Sequence, residues 1–500
     1  MATEITASAL FCGPDRGLLE NVVLRHDGGI ITSIDATPAP PPAPRTFIIP
    51  ALVNAHDHAR PTASSFGAVN MPLESWIIRS AFGTPPDPYL AAASAMARSA
   101  QAGCGSMMIH YTRPSGTMPL VEEARQIARA ADDVGIRIAF ALAVRDQNPV
   151  VYGDSEPVLS SLSAEHRKTV EEMFVRPVLS PRDYIKLTET IASEIAGPRI
   201  DVQFGPAGVQ WCSRPLLEAI AESSDRTGRR VHMHLLETIY QRGWADAQFP
   251  DGIVRYLRDI GLLSKRLTLA HCIHARPDEL EIIAESGARI VTNFSSNLHL
   301  HSGLAPIAAA HRCGCAIAVG VDGLALDEDD DVIREMRLVQ LAHGGLGFKR
   351  TWTRPEFFGL AVRNGREATG GAGKWCAGAG RRGRLCRDRS RPPRPRPHHA
   401  GRPAGTIVRA RQRVAGARRR GRGADHRARG KADRRRPAGH RGGVARPVSG
   451  RRQTVRPART GLGTAFSVAR PLVRGAMELR LRPDRAKAES DEANPALRLS

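Results

Sequence analysis

Two histidines separated by one residue, His56 and His58 on either side of Asp57, follow an apolar run at 47–53. On an extended chain such a pair points the same way, so both imidazoles can face one cation. A chance polar pair at a strand end would look alike, so the pair needs company. The stretch His232-Met233-His234-Leu235-Leu236-Glu237 supplies more imidazole and a carboxylate, Ala270-His271-Cys272 another histidine, and Gly320-Val321-Asp322-Gly323 an aspartate. A zinc-like ion takes three or four N or O ligands at ~2.0–2.2 Å and, where it is catalytic, keeps one position open for water. Three histidines and one aspartate, with a glutamate just outside them, would meet that need.

Residues so far apart need a scaffold that brings strand ends together. Short apolar runs lie at 47–53, 105–110, 136–144, 200–204, 231–236, 267–272, 289–293 and 316–321. Helical patterns such as 119–133, 214–227 and 277–286 lie between them. Strands alternating with helices over this length fit a parallel (β/α)8 barrel, and a doubly wound open sheet competes with it. The polar residues favour the barrel. His56 and His58, His110, Asp146, His234, His271, Asn293 and Asp322 all stand at the ends of runs. In a barrel those ends converge on the face where such folds carry their chemistry.

Ile49 to His58 reads Ile-Pro-Ala-Leu-Val-Asn-Ala-His-Asp-His, which resembles the Pro-Gly-Leu-Val-Asn-x-His-x-His opening of the amidohydrolase superfamily. His234-Leu235-Leu236-Glu237 is similar to the His-x-x-Glu of its cytosine deaminase and triazine (chloro)hydrolase branch. Asn293 to Asn297 with Gly303 and Pro306, then Gly320 to Gly323, resemble two further blocks of that branch. Together these blocks span residues 1 to about 370 in the family's order. Ala51 replaces a usual glycine and Phe294 a usual proline.

The resemblance implies a TIM-like barrel with a small β-sandwich built partly from N-terminal strands. It also implies one divalent metal, Zn2+ or Fe2+, held by His56, His58, His234 and Asp322. Glu237 would be the proton shuttle, and His271 would bond the water or the developing oxyanion. Two-metal relatives carry a lysine on the fourth strand; here that strand reads Asp201-Val202-Gln203-Phe204-Gly205. The physical logic is independent of the family. A divalent metal makes hydroxide available near pH 7. Glu237, three residues past His234, can take the proton and hand it to a leaving amine. Asp322 can accept a hydrogen bond from the same water, so Glu237, His271 and Asp322 form the catalytic set. The substrate would be a small, heterocyclic amine that loses ammonia.

Other candidates carry plainer readings. Trp211 is placed to stack on a planar substrate and His110 to line the pocket, both with core packing as the competitor, and Asn297 is a further substrate contact. His232 is assigned to packing or to a supporting place behind the ligands rather than to ligation, on the face of its strand away from His234. His299 and His301 read as surface loop, and His274 and His343 as solvated. Cys272, Cys313 and Cys315 read as small buried hydrophobes. The acidic run Asp327 to Asp331 reads as a helix start.

The net charge of +22 suggests a nucleic-acid binder until it is divided. Residues 371–500 carry 36 Lys and Arg against 8 Asp and Glu, leaving the first 370 residues at −6. The expected organisation is 1–48 as strands of the sandwich, 49–369 as the barrel, and 370–500 as an Arg/Pro/Gly/Ala-rich tail. That tail lacks apolar periodicity and is expected to be disordered. Arg, Ala, Gly and Pro have codons rich in G and C, so the composition points to a lost reading frame near residue 370. A basic arm for RNA is the rival, weakened by a near absence of aromatics for base stacking, and no specific nucleic-acid partner is expected. No apolar run is long enough to span a membrane, and Met1-Ala2-Thr3-Glu4 lacks a leader's basic-then-apolar start, so a cytoplasmic location is expected. The partner is then a small-molecule substrate, with a homo-oligomer left open. The alternatives are displacement of chloride from a triazine, or an impaired barrel serving as a binding module.

Overall fold

The computed structural model describes residues 3–388 except 14–16, 29, 39–45, 61–67, 84, 176, 324–325, 327–328, 372–380 and 383–384. Residues 389–500, most of the basic segment, lie outside the described residues.

The N-terminal strands are β1 (Thr3–Phe11), β2 (Leu18–Asp27), β3 (Ile30–Ala36) and β4 (Phe47–Pro50). β1 and β2 pair antiparallel from Thr3↔His26 to Phe11↔Leu18, and β4 lies parallel to β1. Ala7, Leu10, Val22, Leu24, Ile31 and Ile48 form its small core. Along β2 the alternation is plain, with Val22 and Leu24 buried and Arg25 exposed. Among the described residues, the expected small sandwich takes the form of one six-stranded sheet.

Two of its strands come from beyond residue 370, inside the stretch expected to carry no regular structure. Arg381–Arg382 pairs with β3, and Leu385–Asp388 pairs antiparallel with β4. β3 and β4 are otherwise edge strands, and an edge offers its unpaired backbone groups to any extended chain whatever its side chains.

The barrel strands are β5 (Leu52–Asn54), β6 (Cys104–Tyr111), β7 (Arg137–Val144), β8 (Ile200–Pro206), β9 (Val231–Leu235), β10 (Leu267–His271), β11 (Arg289–Thr292) and β12 (Ala316–Val319). They pair in sequence order in one parallel sheet. Ala55 N–H donates to Val319 O at 3.0 Å and Asp322 N–H to His56 O at 2.9 Å, which joins the last strand to the first. This is a (β/α)8 barrel with helices around it, as the spacing predicts. The run at 47–53 is divided: Pro50, without an N–H, ends β4 in the first sheet, and β5 starts at Leu52 in the barrel.

The helices follow their local chemistry. Ser213 caps the helix Arg214–Thr227 by accepting from Leu216 N–H, and Gly228, at φ 72°, ends it. Asp331 caps the helix Val332–His343 through Ile333 and Arg334 N–H. The acidic run therefore starts a helix, though Asp327 and Glu328 lie outside the described residues. No helix among the described residues is long and apolar enough to cross a membrane.

Candidate metal centre and its cavity

The strand ends deliver their histidines to one point. His58 Nε2 stands 3.0 Å and His56 Nε2 3.3 Å from Asp322 Oδ1, and His234 Nε2 is 3.4 Å from His58 Nε2. Two ligands of a tetrahedral ion at ~2.1 Å stand about 3.4 Å apart, so these spacings are those of one coordination shell. His271 Nε2 is 4.0 Å from Asp322 Oδ2 and 3.8 Å from Glu237 Oε1. All of these groups are buried.

The far side of each ring is held. His58 Nδ1 lies 2.6 Å from His110 O, His234 Nδ1 2.7 Å from Ala207 O, and His271 Nδ1 2.9 Å from Asn297 Oδ1. A ring nitrogen that donates to a carbonyl leaves its other nitrogen bare, which is how protein ligands are aimed at a metal. Ser296 Oγ donates to Asp322 Oδ2 at 2.6 Å. His56 Nε2, His271 Nε2 and Asp322 Oδ1 are buried with no hydrogen-bond partner. Orphaned buried atoms of this kind are costly unless a ligand satisfies them, and a divalent cation fits the three-nitrogen, one-carboxylate set.

Charge follows from the same burial. Burial lowers His56, His234, His232 and His110, and takes His58 to about 3 with help from Arg60. The imidazoles are therefore neutral, the form that ligates. Burial works to raise the Asp322 carboxyl, but the close approach of the His56 and His58 rings outweighs it and holds it well below the usual carboxylate range. Glu237 goes the other way: burial, aided by the Asp322 and Glu74 carboxylates against His271, raises it to about 7.

The backbone shows what this convergence costs. His271, at φ 74°, and Asp322, at φ 64°, adopt left-handed conformations rare for residues with a side chain. Gly320 lets β12 approach β5: a Cβ there would meet Asn293 Oδ1 at 2.5 Å and His56 N at 2.7 Å.

A cavity of about 680 Å³ opens over the cluster, lined by His58, His234, Glu237, His271 and Asp322 on its polar floor and by Trp76, Phe174 and Trp211 among its walls. Of the three expected substrate contacts, Trp211 borders the cavity. Asn297 is spent on His271. His110 sits behind the cluster, fully buried, with Nε2 3.1 Å from Gly205 O.

The assignment of His232 to the opposite face is corrected. It stands two residues from His234 on one strand and shares its side, and its Nε2 lies 2.7 Å from His56 Nδ1. Its place is under the His56 ring, so it supports that ring rather than lining the cavity. His274 and His343 are half-buried rather than solvated, and His274 Nε2 bonds Ser302 O at 2.9 Å. Gln203, where a lysine would mark a second metal, is buried and donates to Asp201 and to Ala368 O.

Sequence reasoning passed over Arg60 and Arg113, which line the cavity, and the Glu74 network. Glu74 accepts from Thr238 Oγ1 at 2.6 Å and from Tyr152 OH at 2.9 Å, beside the Gln241 that receives Glu237 N–H. No local spacing announces these residues, because the contacts cross between strands and helices far apart in sequence.

Known proteins bear on this geometry. The 5'-deoxyadenosine deaminase of Methanothermobacter thermautotrophicus is 26% identical over 328 residues, 65% of this chain and 69% of the relative. The 5-methylthioadenosine/S-adenosylhomocysteine deaminase of Nitratidesulfovibrio vulgaris is 27% identical over 297 residues, and the chain spans 61% of that relative. Among solved structures, triazine hydrolase from Arthrobacter aurescens superimposes with a TM-score of 0.66 at 19% identity over 82% of this chain and 91% of that one. An adenosine deaminase from Xanthomonas campestris, with bound zinc, gives 0.63 at 21% identity over 81% and 88%. At such identities the two structures speak to the fold. Residues 47–358 match the Amidohydrolase family, and the chain belongs to that family.

Proposed function

We propose that the chain is a metal-dependent aminohydrolase that releases ammonia from a small heterocyclic amine. The observation that carries this reading is the convergence of His56, His58 and His234 with Asp322, their facing atoms buried and some left without partners. One divalent cation, zinc or iron, would be held by those four residues. Bound there, it would supply hydroxide near neutral pH and polarise the carbon under attack.

The protein's own groups do the rest. Glu237, raised to about 7 by burial, exchanges a proton near neutrality and moves it from the attacking water to the departing nitrogen. His271, fixed by Asn297, directs Nε2 at the oxygen that gains charge in the transition state. Asp322 accepts from the same water while ligating. The aromatic and apolar walls exclude solvent and suit a planar ring. The named deaminases among the relatives support an aminated ring as substrate. The thiols of Cys212, Cys272 and Cys315 are free and buried in the barrel, which suits the reducing cytoplasm as location.

The test is to load the purified chain with Zn2+ or Fe2+ and assay ammonia release from aminopurines, aminopyrimidines, pterins and aminotriazines, with chloride release from chlorotriazines in parallel. Metal-dependent ammonia release is expected. Release of chloride alone, or of neither, overturns the reading.

A further inference from the structure

Three successive barrel strands each release an arginine just past their ends. Arg60 follows β5, Arg113 follows β6 and Arg145 follows β7. All three line the cavity that holds the metal-facing residues. Arg60 and Arg113 both lie against the ring of Trp76, 4.9 and 5.5 Å from its centroid.

The hydrogen bonds of these two go to neutral groups. Arg60 donates to Thr112 Oγ1 at 3.1 Å, and Arg113 to the carbonyl of Ser80 at 2.9 Å and to its hydroxyl. Arg60 Nε is buried with no hydrogen-bond partner. Burial, reinforced by Arg60 and Arg145, lowers Arg113 to about 9. A purely structural role would need only the stack on Trp76 and the tie to Ser80, and it leaves the buried donor unexplained. Arg60 also feels the carboxylates of Asp322, Asp57 and Glu237, whereas the charges acting on Arg113 are those of Arg60 and Arg145. An oxyanion between the arginines relieves that repulsion, and their planar forks match the oxygens of a carboxylate or phosphate.

We propose that Arg60 and Arg113, with Arg145 at the mouth, form a subsite for an oxyanion carried by the substrate. The substrate is then an amino-heterocycle bearing a carboxylate or phosphate, its ring over the metal-facing residues and its anion toward Trp76. The ring and its amine rest on the hydrolase reading above; the anion does not.

Calorimetric titration of the full, metal-loaded chain with inorganic phosphate and with benzoate tests the subsite directly. At least one should bind at one per chain and weaken with salt. Arg60→Gln and Arg113→Gln should each weaken it at least about tenfold, the loss of a charge-assisted hydrogen bond. Arg129→Gln, on an exposed helix face, should change nothing. Tighter phosphate points to an ester, tighter benzoate to a carboxylate. Should both inner variants fail to fold, Arg145→Gln, at an exposed position, decides with a loss of at least about threefold.

No saturable binding of either anion overturns the proposal, as does unchanged affinity in the glutamine variants. Binding that vanishes in His234→Ala but survives the arginine substitutions also overturns it, because the anion then sits on the metal. The parallel assay compares adenosine 5'-monophosphate with adenosine, and pterin-6-carboxylate with pterin. The anionic member should be preferred, and the preference lost in Arg113→Gln. If none releases ammonia, the hydrolase reading falls while the titration still decides the subsite.

Discussion

Glu237 lies buried three residues past His234, with the carboxylates of Asp322 and Glu74 pressing its pKa upward. Replacing it by Gln should keep the metal and lower kcat by roughly 10²–10⁴, the range for losing a general acid–base group; metal analysis beside steady-state rates checks it. Because its folded pKa, about 7, exceeds the unfolded value, Glu237 favours the fold below the unfolded pKa and loses that contribution as pH rises through about 7. In metal-free protein, Glu237→Gln should therefore raise the thermal midpoint relative to the parent at pH 8.5 and not at pH 4. His234→Ala should remove both metal and turnover, read by metal content per chain, which in the parent should be close to one. The convergence of His56, His58, His234 and Asp322 was legible because they obey simple spacing: residues two apart on a strand share a side, and strand ends share a face. The same rule, properly applied, places His232 with His234. Arg60, Arg113 and the bond from His271 to Asn297 were not legible, because they depend on which strands become neighbours.

The barrel's elements are held at points where backbone groups need outside help. Tyr184 OH donates to Leu142 O on β7 and accepts from Gly205 N–H on β8, each at 2.8 Å. Tyr184→Phe should cost about 1–3 kcal/mol, because it leaves a buried N–H without a partner. Urea unfolding measures that loss, and metal content should be unaffected. Eight strand positions and the helices at 120–134, 214–227 and 277–286 could be read from the sequence because capping and apolar period agree there. The switch between sheets inside 47–53 could not, since a continuous apolar run carries no sign that its two halves serve different sheets. Only Pro50 marks the break.

Across the whole chain, the acidic body and the basic segment make separate contributions. Among the described residues, every one that lines the cavity over the histidine cluster lies between His58 and Leu326. A chain ended after Asp388, which keeps both late strands of the N-terminal sheet, should retain metal content and turnover. If trimming at that point abolishes either, then 389–500 contributes to the site and the proposal that the frame is lost near 370 fails. Composition alone made this division visible, whereas the strands at 381–388 rest on edge pairing that no side-chain pattern announces. The seam where His56 O receives the Asp322 N–H also orders events in time. His56 and His58 leave the ribosome early and Asp322 late, so a half-made barrel presents two imidazoles without the carboxylate that completes the shell. On the proposed ligand set, the four-residue shell would be complete only once the last strand docks. A chain that stops short of it would lack Asp322, whereas one whose frame slips after residue 370 has already synthesised all four residues.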